Sequence, residues 1–275
     1  EKESYEKYWD DISPFIKFGC LKDEKFCEKM SDYVLFKNLD HKYMTLKECI
    51  EKNGGKAEPE EKTEGENAEQ SAEKKEAEKT TIYYVTDEQQ QSQYINMFKA
   101  AKMDAVILTH NIDQPFISQL EQKNEGIKFQ RIDADLTEDF KEDGEDLKEM
   151  TEELTATFKK ALNNEQLDVK VEKLKNENIS SMMTLSEESR RMQDMMKMYG
   201  MDANMFGGAN GATLVLNANH PLVKYVAEHK DDETNVPLIC QQLYDLAMMA
   251  HKQLSPEEMT QFIARSNQIL LALAK

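Results

Sequence analysis

From Glu51 to Thr80 the sequence contains no branched aliphatic, methionine or aromatic residue. That blank limits the possible folds more than any other feature of the chain. Fixing a residue's backbone costs about 1–2 kcal/mol, and a run of Glu, Lys, Gly, Ala, Gln and Asn has no apolar surface to offset it. The stretch is expected to be a disordered acidic insert, nicked first by proteases. The chain must therefore build its cores from the residues before Glu51 and those after Thr80.

The remaining sequence is apolar enough to do so: 275 residues with 39% hydrophobic content allow two compact domains. A formal charge of −18 opposes a phosphate backbone, so nucleic acid is not an expected partner. No run of about 18 apolar residues is present to span a bilayer, so no membrane partner is expected either. The start at Glu1, Lys2, Glu3 and Ser4 has neither an initiator Met nor an apolar signal stretch, as in a piece with sequence upstream. Cys20, Cys27, Cys49 and Cys240 form neither a Cys-x-x-Cys pair nor a zinc-type cluster. They read as reduced thiols of a cytoplasmic protein, with no metal site and no disulfide.

Residues 1–50 read as a helical unit, with Tyr5, Tyr8, Trp9 and Ile12 on one face, a break at Lys17, Phe18 and Gly19, then Phe26, Met30, Tyr33 and Val34. Residues 81–140 alternate strand and helix. Ile82 to Val85, Ala105 to Leu108 and Ile127 to Ile132 are the strands, separated by helices carrying Tyr94, Ile95 and Phe98, then Phe116, Ile117 and Leu120. This predicts a small α/β layer with a three-strand parallel sheet. Residues 141–275 read as an α+β domain, with strands at Leu167, Val169 and Val171 and at Thr213 to Asn217. A Met-rich helical segment and a Gly-rich loop from Gly200 to Gly211 lie between them.

Two helices close the chain. One carries Leu238, Ile239, Leu243, Leu246, Ala247 and Ala250. The other opens at Ser255, Pro256, Glu257 and Glu258, a capping box with proline at the first helical position, and carries Met259, Phe262, Ile263, Ile269, Leu270 and Leu273. Their apolar faces are too wide to satisfy only each other. Two such hairpins from two chains make an intermolecular four-helix bundle, with Leu243, Leu246, Phe262, Ile269 and Leu270 as the interface. The alternative is that both helices pack on their own domain.

Several of these stretches, in this order, resemble one family, the heat shock protein 90 chaperones. They are Tyr5-x-x-Tyr8-Trp9 with Lys17-Phe18-Gly19, Ile82 to Thr86, Val106 to Leu108 with Ile112-Asp113, Leu214 to Val223, and Phe262-x-x-Arg265-x-Asn267-x-Ile269-Leu270. The resemblance implies that residues 1 to about 140 end the family's middle domain and that the rest is its C-terminal dimerisation domain. It implies a homodimer that binds unfolded or partly folded client proteins. ATP, with magnesium, is expected for a full-length member through domains upstream of Glu1, so this fragment is expected to hold no catalytic or cofactor-binding residue. The end at Leu273-Ala274-Lys275 lacks the acidic Met-Glu-Glu-Val-Asp tail of eukaryotic cytosolic members, which leans towards the bacterial branch. The insert has no general family counterpart. The usual proline ahead of the Met-rich segment is also absent.

The resemblance also assigns the client-binding residues. Seven of the 16 methionines, Met182, Met183, Met192, Met195, Met196, Met198 and Met201, fall close together. Leu185, Met192, Met196 and Tyr199 share one face of a helix from Thr184 to Tyr199, with Met195 beside them and Glu187, Glu188, Arg190 and Lys197 on the polar side. Such a stripe either packs in its own core or, as the family implies, faces clients with an adaptable surface. Phe116, after Ile112-Asp113, stands where members carry a client-contacting aromatic. His220 before Pro221 reads as a helix-start residue and not a catalytic base, and His110 to Asp113 as a turn and cap. The alternatives kept open are a pure dimerisation scaffold and a small-molecule enzyme using the α/β layer, which would need a cofactor fingerprint.

Overall fold

The computed structural model describes residues 2–55, 79–134, 140–142, 147–198 and 211–274. The chain divides into two compact units, Glu1–Glu88 with Met103–Ile132, and Gln89–Lys102 with Asp133–Lys275. Ten α-helices and eight strands occur among the described residues, making an α/β protein with two mixed sheets.

The first unit opens with α1 (Lys2–Lys22), α2 (Glu24–Met30) and a 3-10 turn at Ser31–Tyr33. Contrary to the expected break, α1 runs unbroken through Lys17, Phe18 and Gly19. Lys17 turns inward and donates to the buried Asp113 carboxylate, which also accepts from the His110 amide at 2.9 Å. Gly19 is a close approach, since a Cβ there would lie 2.7 Å from the Phe26 ring. The motif packs the helix and does not stop it.

A hairpin comes next, β1 (Leu35–Asn38) and β2 (Tyr43–Thr45), then α3 (Leu46–Lys52) and β3 (Thr80–Val85). The chain continues through α4 (Ser92–Ala100), which belongs to the second unit, and returns as β4 (Val106–Ile107), α5 (Asp113–Lys123) and β5 (Ile127–Arg131). The expected parallel strands are there: β3 pairs in parallel with both β4 and β5. The sheet is larger than a three-strand layer, because β1 pairs antiparallel with β4 and the order is β2-β1-β4-β3-β5. Residues read as purely helical thus supply two strands. Their turn is built by Asn38, whose side-chain oxygen accepts from the amides of Asp40 and Lys42, and by His41 at φ 58°. Trp9, Phe36, Ile82, Tyr84, Phe116 and Phe129 form this unit's core.

The expected insert falls from 56 to 78 outside the described residues, but its flanks are defined. Glu51 and Lys52 complete α3, and Thr80 begins β3. The Gly55 amide donates to the Ile50 carbonyl at 2.9 Å, and a Cβ on Gly55 would strike the Thr80 side chain. The two ends are therefore neighbours. Deleting residues 56–78 and joining Gly55 to Lys79 is expected to change the melting temperature by less than about 4 °C, since loop length enters closure entropy only logarithmically. A larger fall in a calorimetric scan would show that the segment packs on the unit.

In the second unit α4 is followed by α6 (Lys148–Leu162), β6 (Asp168–Glu172), β7 (Ser181–Leu185), α7 (Glu187–Met198), β8 (Ala212–Asn217), α8 (Pro221–Glu228), α9 (Asn235–His251) and α10 (Pro256–Leu273). The sheet order is β6-β8-β7, with β6 parallel and β7 antiparallel to β8. Strand β7 corrects the sequence reading, which placed Met182 and Met183 with a helical segment. Every residue of β7 is buried. A strand buried on both faces has no period-2 alternation to separate it from a buried helix. Asn217 ties the end of β8 to the loop between β6 and β7, accepting from Leu174 N at 3.0 Å and donating to the Ile179 carbonyl at 2.7 Å. His220 caps α8 by accepting from Leu222 N at 3.2 Å, as read from the sequence, and burial lowers its pKa.

All four cysteines are free and buried. Burial pushes the Cys20, Cys49 and Cys240 thiols up to about 12, with the neighbouring Cys27 adding to the rise at Cys20 and Asp104 and Glu48 to that at Cys49. Their folded pKa values lie above the ordinary 9.0, so this contribution to stability is complete below pH 9 and is lost as pH rises towards 12. At pH 8 a thiol-specific reagent is expected to modify none of the four until the chain is unfolded. Rapid native-state labelling at any of them would contradict this burial.

Candidate functional site

Helix α7 starts where Ser186 accepts from the Ser189 amide at 3.3 Å, with Glu187 and Glu188 in the first turn, where carboxylates suit the helix dipole. Arg191 pairs with Glu187 one turn back at 2.8 Å. Arg190, read from the sequence as part of the polar outer side, is instead the residue that points in. It is 5% exposed, and its guanidinium lies 3.1 Å from the Asp133 carboxylate, itself 1% exposed, and 3.2 Å from Nδ1 of His251 at the end of α9. Two charges leave water together only when geometry and hydrogen bonds compensate them, so this pair fixes both the rotation and the seat of α7.

That rotation decides what α7 shows to solvent. At about 100° per residue, Met192 and Met195 stand about 200° and about 140° round the axis from Arg190. They are 49% and 54% exposed. Met196, on the same stripe by its i, i+4 spacing, is half-buried. A helix packed in a core would bury its methionines and expose its arginine. Here an ion pair holds the inner face and thioethers form the outer one.

Two of the other predicted client-binding residues, Leu185 and Phe116, are not brought to this surface. Leu185 ends β7 and is 1% exposed, so it belongs to the core and not to the helix face. Phe116 is also 1% exposed. It is turned inward with Ile117 and Leu120 on α5, under the Lys17 ammonium at 5.9 Å, which removes it as a surface contact. Tyr199 lies outside the described residues. Strand β7, immediately before α7, is held by α4, whose Tyr94 hydroxyl donates to the Met183 carbonyl at 2.6 Å.

The terminal helices divide the predicted interface in a similar way. Leu243 is 1% exposed within the second unit's own core, and its carbonyl accepts from Ser181 Oγ at 2.8 Å, so it is not free to be buried between chains. Leu246 and Leu270 are exposed, while Phe262 and Ile269 are half-buried. Met259, Ile263, Leu271 and Leu273 add further exposed apolar surface to α10. A polar clasp attaches α10 to α9. The Arg265 guanidinium binds the Asp245 carboxylate and donates to Gln242 Oε1 at 3.0 Å, and Gln242 donates to Ser266 Oγ at 3.2 Å. Arg265 stood in a recognised motif without an assigned role. Asp133, His251 and Asp245 gave no local signal at all.

Among the described residues no helix is long and apolar enough to cross a membrane, and no group of three or more His, Cys, Asp or Glu is placed to hold a metal ion. A sequence model described as Hsp90 protein matches residues 1–274. The chain is 29% identical over 256 residues to chaperone protein HtpG of Bacteroides fragilis, covering 86% of this chain and 34% of that protein. It is 28% identical to HtpG of Bacteroides thetaiotaomicron over 84% of this chain and 33% of the relative, and 28% to HtpG of Porphyromonas gingivalis over 82% and 32%. The chain thus spans about a third of the length of these curated relatives.

Proposed function

The chain belongs to the Hsp90 protein family, with relatives of the bacterial HtpG type, and from that premise we propose that it is a homodimerising, client-binding module of an ATP-dependent chaperone. Its partners are a second copy of itself and unfolded or partly folded proteins. The ATP and magnesium chemistry belongs to parts of the whole protein outside this chain. The working location is the cytoplasm.

The observation that carries this reading is the orientation of α7, with Met192 and Met195 outward and Arg190 inward. Thioether side chains are flexible and polarisable, so an exposed pair adapts to unlike apolar partners without specifying one. The exposed face of α10 supports the second half of the proposal. Ile263 and Leu270 on α10, with Leu246 on α9, are large apolar groups in water, and a two-fold arrangement of α9 and α10 as a four-helix bundle would cover them. A scaffold alone would leave the α7 surface without use.

Replacing Met192 and Met195 together by Gln keeps helix propensity and removes apolar contact. This variant is expected to capture an unfolded protein about tenfold more weakly while its melting temperature stays within about 2 °C, because surface substitutions rarely move stability by more than about 0.5 kcal/mol. Unchanged capture, measured by titration with a fluorescent unfolded protein, would place the client surface elsewhere.

A further inference from the structure

Sulfur is unevenly distributed between core and surface. The four cysteines, ordinarily the first targets of oxidants, are at most 3% exposed. Met97, Met182, Met183 and Met248 are at most 5% exposed. Among the methionines whose exposure is described, three are exposed, Met192, Met195 and Met259, and Met259 lies on the α10 face proposed for dimerisation. Of these three, Met192 and Met195 are accessible soft nucleophiles away from that face, on a helix whose opposite side is fixed by the Arg190–Asp133 pair.

We propose that Met192 and Met195 are a reversible oxidation site through which a two-electron oxidant such as hypochlorous acid switches off the apolar face of α7. The thioether sulfur gives an electron pair to the chlorine of hypochlorous acid. One oxygen is gained, and chloride and a proton are released, so sulfur is oxidised by two electrons as chlorine is reduced by two. The sulfoxide is restored by a thiol-dependent methionine sulfoxide reductase: two thiols become a disulfide, and the oxygen leaves as water. The switch works because the product is polar. An apolar client docking on it must desolvate the S=O group without supplying a donor. The seat of α7 is untouched, since neither Arg190 nor Asp133 changes, so the fold survives the modification. This inference rests on the reading of α7 as the client surface.

The test treats the intact chain with a limiting amount of hypochlorous acid, maps sulfoxides by peptide mass spectrometry and measures capture of an unfolded protein before treatment, after it, and after reductase. Sulfoxide should form at Met192 and Met195 at least about tenfold faster than at Met182 and Met183, as exposure dictates. Capture should fall about tenfold through the unsatisfied S=O group and return with the reductase. A variant with Met192→Leu and Met195→Leu should hold its own untreated capture through the same treatment. Equal oxidation of exposed and buried methionines would overturn the proposal, as would equal relative losses in wild type and the Leu variant, or sulfoxide removal without recovery. The untreated Gln variant separates the two levels. If it binds like wild type, the client surface is wrong and the switch falls with it. If it binds weakly while oxidised wild type binds normally, the switch alone falls.

Discussion

Asp133→Ala is expected to destabilise the second unit by about 3 to 5 kcal/mol, the range for removing one partner from a buried ion pair. In a unit of this size that corresponds to roughly 6 to 20 °C in melting temperature. The cause is what remains behind. Arg190 is 5% exposed and its charge loses the carboxylate 3.1 Å away, with His251 on the same guanidinium nitrogen. The guanidinium must then stay buried without this carboxylate or turn to water and carry α7 with it. Either outcome should raise amide exchange along α7. Replacing both partners by apolar residues, Asp133→Leu with Arg190→Met, should recover most of the loss, because the pair stabilises mainly by not being broken. Chemical denaturation of the three chains measures this. A loss under about 1 kcal/mol for Asp133→Ala would mean that the pair does not seat α7.

Leu270→Asp combined with Ile263→Asp is expected to convert the proposed dimer into folded monomers of 31.8 kDa. Both side chains are more than half exposed in the single chain, at 62% and 52%, so the change costs the monomer little. In a two-fold bundle each substitution acts twice, removing about 1.5 to 3 kcal/mol per apolar side chain and adding a carboxylate that must be desolvated. Weakening of association by more than about a thousandfold corresponds to roughly 4 kcal/mol. Sedimentation across a dilution series is the measurement, and an unchanged dimer mass would exclude α10 from the interface. Leu243→Asp is the contrasting variant. Leu243 sits in the core of its own unit, so that change should unfold the unit and not merely dissociate it.

The contrast between Leu243 and Leu270 shows where sequence reading stops. Periodicity places both on apolar faces, but it does not say whether a face meets the chain's own sheet or another chain. The parallel strands β3, β4 and β5 were legible because β-branched and aromatic runs sit between turn residues. The start of α10 was legible because a capping box is local chemistry. Ser255 accepts from the Glu258 amide at 3.2 Å, and Glu258 accepts from the Ser255 amide at 2.7 Å. Strand β7 was not, because helix-favouring methionines fill a strand buried on both faces. The inward turn of Arg190 was not either, since its partner Asp133 is 57 residues away and an arginine beside glutamates looks like a polar face. Family resemblance pointed to the Met-rich segment as a surface, but the register of that surface and the loss of Phe116 and Leu185 from it came from burial.

The most direct test of the central claim attaches a photoreactive thiol reagent to Met195→Cys, which is practicable because the four native thiols are buried. A second chain carries the same label at Glu257→Cys, an exposed position on α10. Both are irradiated with an unfolded client protein. If the outer face of α7 holds clients, the label at 195 forms the covalent adduct, several-fold above the label at 257, and excess unlabelled client suppresses it. Equal yields at the two positions, or an adduct at 257 alone, would contradict the claim.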